Sequence, residues 1–241
     1  PINSGVFCLK KDRFQDVVWI GTDGQGVYLY SNPLYSIKSM VLSNYTEKIE
    51  RPVRAIYLDD ERTFWVGTKG NGILKIYDYE FDKNISDCRA EVLTTSNSAL
   101  SSNAVYCFAK SHRNLLWIGD EEGLTYYSYR EKRIKSIPIR IGNEDFKYIH
   151  DIYETADSEL WLASVGMGVV KARIAGTPDN PVIVDAQRYI INDGELGSNY
   201  FFTIYAENEA NLLFGNKGYG VFRYNETTNG LEPVSTHKYE N

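Results

Sequence analysis

A short apolar run ending in glycine, a glycine-rich turn and a second apolar run recur along this chain. That recurrence limits the fold more than any other feature. The first copy is Val18-Trp19-Ile20-Gly21-Thr22, Asp23-Gly24-Gln25-Gly26 and Val27-Tyr28-Leu29-Tyr30. The second is Phe64-Trp65-Val66-Gly67-Thr68, Lys69-Gly70-Asn71-Gly72 and Ile73-Leu74-Lys75-Ile76. The third is Leu116-Trp117-Ile118-Gly119-Asp120, Glu121-Glu122-Gly123 and Leu124-Thr125-Tyr126-Tyr127. The fourth runs Leu160-Trp161-Leu162-Ala163-Ser164 and Val165-Gly166-Met167-Gly168, and a drifted fifth runs Leu213-Phe214-Gly215-Asn216 and Lys217-Gly218-Tyr219-Gly220. Trp19, Trp65, Trp117, Trp161 and Phe214, taken as the recurring aromatic, lie 44 to 53 residues apart, and all four tryptophans of the chain hold this position. Repeats of roughly 40 to 50 residues with several short strands each read as propeller blades. A blade has two apolar faces and must stack on neighbours to bury them.

Each repeat opens with a further short strand: Val6 to Leu9, Val53 to Ile56, Val105 to Phe108, Ile149 to Ile152 and Phe201 to Ile204. A polar turn such as Asp59-Asp60-Glu61-Arg62 joins it to the tryptophan strand. The order in every blade is therefore A, B, C, D, with A innermost. Strand D is the least regular, at Ile37 to Leu42, Ala90 to Leu93, Ile134 to Ile139, Ala186 to Ile191 and Pro233 to His237. No stretch has the 3.6-residue period of a substantial helix. The expectation is an all-β chain, a β-propeller of four-stranded antiparallel blades, with about five blades over 1–45, 46–97, 98–142, 143–195 and 196–241. The chain begins with Pro1 rather than Met and stops at Tyr239-Glu240-Asn241, where another connector would start. Five repeats either close a ring on themselves or belong to a larger, seven-bladed one; an excised segment of the larger ring, with a further repeat following, is the favoured expectation.

Composition removes several function classes. The 241 residues carry a net charge of −6 with acids and bases interspersed. A nucleic-acid or anionic-membrane partner would call for a basic stripe, and none is visible. No run approaches the ~18 apolar residues of a membrane helix, and no targeting segment is recognisable. The three cysteines, Cys8, Cys88 and Cys107, are too few and irregular for a disulfide framework or zinc site. No disulfide, metal or cofactor is expected.

The pattern Leu100-Ser101-Ser102-Asn103-Ala104-Val105, then Leu116-Trp117-Ile118-Gly119-Asp120, then Gly123-Leu124-Thr125-Tyr126-Tyr127 resembles the two-component regulator propeller repeat. The resemblance runs through all five copies, although the fifth has lost both Trp and Thr. It implies the periplasmic sensor region of a Bacteroidetes-type hybrid two-component histidine kinase. Such regions carry seven-bladed propellers and an immunoglobulin-like domain ahead of a membrane helix and kinase, and many detect oligosaccharides. The partners it implies are an oligosaccharide ligand, the neighbouring propeller and immunoglobulin-like domains of the same parent chain, and a second copy as homodimer. A membrane enters only through the parent protein. No kinase motif, receiver domain or membrane helix lies in these 241 residues.

Antiparallel order puts the B–C turns and the D–A connectors on one face of the ring. Candidate ligand-facing residues there are Gln25, Lys69, Asn71, Asp120, Tyr148, Asn199, Tyr200, Lys217 and Tyr219. Tyrosine faces beside planar amides suit sugar recognition; the same residues would equally suit contact with another domain. The Gly-x-Gly turns lead into strands rather than helix N-termini, so they lack the phosphate-cradling mechanism. Of His112, His150 and His237, only His150 is placed to face a central channel, and adjacent strand residues such as His150 and Asp151 point to opposite faces. No assembled catalytic residues are legible. A non-catalytic sensor segment is the leading expectation, a protein-interaction propeller the alternative, and a propeller glycoside hydrolase or lyase the third.

Overall fold

The structure is a computed structural model that describes residues 2–31, 36–40, 42, 49–80, 87–192 and 197–234. Its described elements are all β, and twenty of the twenty-two strands form five four-stranded antiparallel sheets. Blade one contains β1 (Val6–Lys11), β2 (Val17–Thr22), β3 (Val27–Ser31) and β4 (Ser36–Met40). Blade two contains β5 (Val53–Leu58), β6 (Phe64–Thr68), β7 (Ile73–Ile76) and β8 (Ala90–Leu93). Blade three contains β9 (Val105–Lys110), β10 (Leu115–Asp120), β11 (Leu124–Ser128) and β12 (Arg133–Ser136). A small hairpin, β13 (Arg140–Ile141) with β14 (Glu144–Asp145), precedes blade four. Blade four is β15 (Ile149–Glu154), β16 (Glu159–Ser164), β17 (Gly168–Thr177) and β18 (Asn180–Tyr189). Blade five is β19 (Phe201–Asn208), β20 (Asn211–Asn216), β21 (Gly220–Asn225) and β22 (Gly230–Pro233). The chain is a five-bladed propeller array, with the inner strands β1, β5, β9, β15 and β19 packed in succession.

Strand D of blade four departs from the sequence expectation. It begins at Asn180 rather than Ala186, because β17 and β18 continue as a ten-residue hairpin paired from Val169–Tyr189 out to Thr177–Asn180. In blade five, strand D is Gly230–Pro233, and His237 with the final Tyr239-Glu240-Asn241 lies outside the described residues.

The tryptophans do what the repeat pattern requires. Trp19 meets Phe64 and Tyr79 of blade two, with ring centroids 4.3 and 5.0 Å apart. Trp65 meets Tyr127 of blade three at 4.8 Å, and Trp161 meets Tyr224 of blade five at 4.7 Å. Each buried indole that donates does so to a buried carboxylate: Trp19 to Asp12 and Trp65 to Asp59 at 2.9 Å, and Trp117 to Glu154 of the next blade at 2.7 Å. A buried indole N–H needs such a partner.

The fifth copy corrects the sequence alignment. In the four earlier blades the tryptophan precedes by two the residue paired with the third position of strand A, as Gly21 pairs with Cys8 and Gly67 with Ala55. In blade five Gly215 pairs with Thr203, so the tryptophan position belongs to Leu213 and not to Phe214. Phe214 is the counterpart of Ile20 and Val66, and its ring turns back onto Trp161, 5.6 Å away. A one-residue slip in a strand exchanges the two faces.

Four buried clusters join blades one to two, two to three, three to four and four to five. Among the described residues no fifth cluster joins blade five to blade one. The position that packs backward onto the preceding blade is 8% exposed at Ile56 and 5% at Ile152, but 65% at Leu9. The forward-packing position is 4% exposed at Tyr57 but 63% at Tyr205. Leu9 and Tyr205, on the two end faces, are thus far more exposed than their counterparts inside the array.

The strand-B glycine is a close-approach position. A Cβ on Gly119 would sit 2.5 Å from Cys107 Sγ and 2.7 Å from the Ile149 carbonyl oxygen of the next blade. Gly119→Ala is expected to lower stability by ~1–3 kcal/mol, the usual cost of overpacking. A urea midpoint indistinguishable from the parent would contradict this packing. No disulfide joins Cys8, Cys88 or Cys107.

Candidate functional site

The B–C turns and the D–A connectors share one face, as antiparallel order predicts. The Asn103 carbonyl accepts the N–H groups of Gly70 and Gly72, and the Asn199 carbonyl accepts those of Gly166 and Gly168. Each connector is thus bonded to the preceding blade's turn. A second bond recurs in all five blades, from the residue after strand B to the residue before strand A. Asp23 donates to Gly5, Lys69 to Pro52, Glu121 to Ala104, Val165 to Tyr148 and Lys217 to Tyr200, at 2.9 to 3.1 Å. These pairs build the rim around the innermost strands.

The nine sequence-predicted residues separate into two groups on this frame. Lys69, Tyr148, Tyr200 and Lys217 stand on the rim. Tyr148 is 41% and Tyr200 43% exposed, and Lys217 Nζ lies 5.3 Å from the Tyr200 ring centroid. Tyr148 adopts φ +55°, which turns the chain sharply into blade four. Of the others, Gln25, Asn71 and Tyr219 occupy turns, Asn199 a connector and Asp120 the end of β10. Gln25 is exposed and its Oε1 accepts the Asn3 N–H at 2.9 Å. Tyr219 is 47% exposed. Asn71 accepts the Arg51 N–H at 3.0 Å through Oδ1, and lines a cleft of ≈ 600 Å³ with Thr94, Thr95, Ser96 and Asn103 beside the apolar Ile49, Ala90 and Val92. Asn199 clamps its own connector, accepting from the Ile191 N–H at 2.7 Å and donating to the Ile191 carbonyl at 3.1 Å.

Asp120 does not face a ligand. It is fully buried and takes the place of Thr22, Thr68, Ser164 and Asn216, the turn-closing residue of each blade. Oδ1 accepts the N–H groups of Glu122 and Gly123 at 2.9 and 3.0 Å, and Oδ2 accepts the Ser101 hydroxyl at 2.7 Å. Burial pushes its pKa up to about 6 against these hydrogen bonds, which favour the charged form. Its polarity is spent on the fold.

The structure adds an axial group that the sequence reading did not assemble. Every inner strand has a register break at its second residue: Val6 pairs with Thr22 and Cys8 with Gly21, skipping Phe7. The same break skips Arg54, Tyr106, His150 and Phe202. A bulge residue leaves the ladder and re-aims its side chain. Here the side chains run from blade to blade. The Arg54 guanidinium lies 3.8 Å from the Phe7 ring centroid. Tyr106 stacks on His150 at 4.3 Å and 17°, and Phe202 meets His150 edge-on at 5.3 Å. The signal was present in the sequence as the second column of strand A, which reads Phe, Arg, Tyr, His, Phe. Every member carries a planar π system, a pattern invisible to a search for apolar periodicity.

Burial, then the charges of Arg54 and Lys69, push the His150 pKa down to about 4, so the imidazole is neutral at physiological pH. Asp151 is not its dyad partner. Its Oδ2 accepts the Ile204 N–H at 2.7 Å and the Thr203 hydroxyl at 3.0 Å, tying blade four to blade five. Among the described residues no cluster of three or more His, Cys, Asp or Glu could hold a metal ion.

No protein-family model matches the chain. One curated protein, translation initiation factor 6 of Saccharolobus solfataricus, is 31% identical over 140 residues, which span 53% of this chain and 57% of that protein. Among solved structures, the chain resembles an extracellular domain assigned to the hybrid two component system BT3049 of B. thetaiotaomicron, with TM-score 0.69 and 20% identity. The likeness takes in 96% of this chain and 29% of that one. PorZ, a surface component of the type-IX secretion system of Porphyromonas gingivalis, aligns with TM-score 0.66 and 15% identity over 92% of this chain and 32% of its own. Virginiamycin B lyase of Staphylococcus aureus aligns with TM-score 0.68 and 14% identity over 99% and 72%. At these identities the likeness establishes the architecture: the chain is a β-propeller array with the same fold as extracellular domains assigned to two-component systems, spanning under a third of the first two chains.

Proposed function

We propose that this chain is a non-catalytic, extracytoplasmic sensor segment of a hybrid two-component protein, and that its B–C/D–A face binds a glycan-derived ligand. The observation that carries the reading is the convergence of Lys69, Tyr148, Tyr200 and Lys217 on one rim around an aromatic axial group. Sugar sites pair aromatic faces with a few placed polar groups. The fold likeness to extracellular domains assigned to two-component systems supports the same reading. Regulation of a kinase further requires that ligand bind two receptor arrangements with different affinity.

A thermal-shift titration against oligosaccharide pools tests the proposal. One pool is expected to raise the melting temperature, by the equivalent of ~2.7 kcal/mol at a hundredfold excess over Kd. Stabilisation by neighbouring domains and by no pool would favour a second reading, in which the segment is a docking scaffold. The exposed Leu9 and Tyr205 of the end blades favour that alternative.

A further inference from the structure

Two neighbouring residues of strand C in each blade point to opposite faces, the first toward the following blade and the second toward the preceding one. These pairs are Leu29-Tyr30, Lys75-Ile76, Tyr126-Tyr127, Lys171-Ala172 and Arg223-Tyr224. The first of each pair stands opposite Trp19, Trp65, Trp117, Trp161 or Leu213 in the ladder. One rule then runs through the four internal joints. Where the forward residue is a cation, the next blade answers with tyrosine. Lys75 Nζ lies 4.3 Å from the Tyr127 ring centroid and donates to its hydroxyl at 2.8 Å, and Lys171 Nζ lies 5.7 Å from the Tyr224 centroid. Where the forward residue is Leu29 or Tyr126, the next blade answers with Ile76 or Ala172 instead. A cation is drawn to an aromatic face, more strongly once water is removed, and Lys75 is only 3% exposed in its joint.

The two end faces carry the halves of this pairing that no joint uses. Blade five turns Arg223 forward, exposed, with Tyr205 and the partly buried Leu213 in the same column. Blade one turns Tyr30 and Tyr28 backward, both partly buried, in one column with the exposed Leu9. We propose that these faces are the two sides of a head-to-tail contact between copies of this chain, with Arg223 of one copy over Tyr30 of the next as Lys75 lies over Tyr127. The charge pattern selects this occupant. The blade-five face offers the cation and the blade-one face the ring, whereas two blade-five faces would bring Arg223 against Arg223. A symmetric dimer joins a patch to its own copy; this contact is heterologous, because the face given and the face received differ. It is independent of what the rim binds.

Sedimentation velocity of the 241-residue chain tests the contact, and a sedimentation coefficient that rises with concentration is expected. Arg223→Leu is expected to weaken association about tenfold, and Tyr30→Leu by a similar factor. Combined in one chain they cost little more than either alone, because both remove the same contact. Two further variants read the geometry. Arg223→Glu spoils the blade-five face and Leu9→Asp the blade-one face, so each protein alone stays monomeric and an equimolar mixture forms the heterodimer. Melting curves of the variants should coincide with the parent's, since none of the three sites lies in an internal joint. A parent chain that is monomeric at every concentration overturns the proposal. So do additive losses from the two leucine variants, self-association that survives in Arg223→Glu or Leu9→Asp alone, and a mixture of those two that stays monomeric.

Discussion

Replacing Trp65 with alanine is expected to lower the unfolding free energy by ~3–5 kcal/mol for the lost burial and the cavity left behind. The indole is fully buried between blades two and three, against Tyr127 at 4.8 Å and Phe108 at 6.3 Å, with Lys75 Nζ 4.8 Å from its ring centroid. Alanine also strips Asp59 of the indole N–H, 2.9 Å from Oδ2, in a site where Asp59 is 1% exposed. An orphaned buried acceptor adds ~1–3 kcal/mol. Together these approach the ~5–15 kcal/mol that holds a typical domain folded. The companion variant Leu213→Ala removes the equivalent residue of blade five, which is only partly buried on an end face. A loss of under ~1 kcal/mol is expected there, since little area returns to water. Urea midpoints for the pair decide the matter; comparable losses would show that the end face is covered and that the two positions are not inequivalent.

The second large effect is a pH dependence seated in the third blade. Burial raises the Asp120 carboxyl pKa from its ordinary value near 3.8 to about 6 in the folded protein. For a group raised on folding, the stabilising contribution is complete below its unfolded pKa and is lost as pH climbs through the folded one. Stability should therefore fall by ~3 kcal/mol between about pH 4 and pH 6 and level off above that, at 1.36 kcal/mol per pKa unit. Asp120→Asn should abolish this slope and raise the melting temperature at pH 8. Asparagine suits the position: in blade five Asn216 holds it, accepting from the Ser198 hydroxyl at 3.0 Å and donating to the Ser198 carbonyl at 2.5 Å. Melting curves of both proteins from pH 4 to pH 8 would show this, and a parallel slope in the variant would place the titration elsewhere.

Much of the fold was legible because its determinants are local. The alternation of Val-x-x-Ile in strand A, the positive-φ glycines such as Gly72 (φ +75°) and the polar A–B turns each act within a hairpin. The shared face of turns and connectors followed from antiparallel order alone. The candidate site was legible only in part. Lys69, Tyr148, Tyr200 and Lys217 were selected because they occupy loops on the correct face, and the five recurrent rim bonds bring those loops together. Asp120 was misjudged because its place in a turn says nothing of depth; the Ser101 connector folds over it and removes it from solvent. Phe214 was assigned to the tryptophan column because aromatic character was matched where pairing register decides.

By itself, then, the sequence determined the repeating unit: a tryptophan hairpin whose apolar columns cannot be buried within one blade. Only the tertiary structure decided which side of each strand those columns occupy, that Arg54, Tyr106 and His150 leave their ladders for the axis, and that the first and last blades keep open faces. The reason is physical. Turn chemistry and strand alternation depend on neighbours along the chain, whereas register, bulges and burial are set by contacts between blades about fifty residues apart, where one-residue shifts exchange inside for outside.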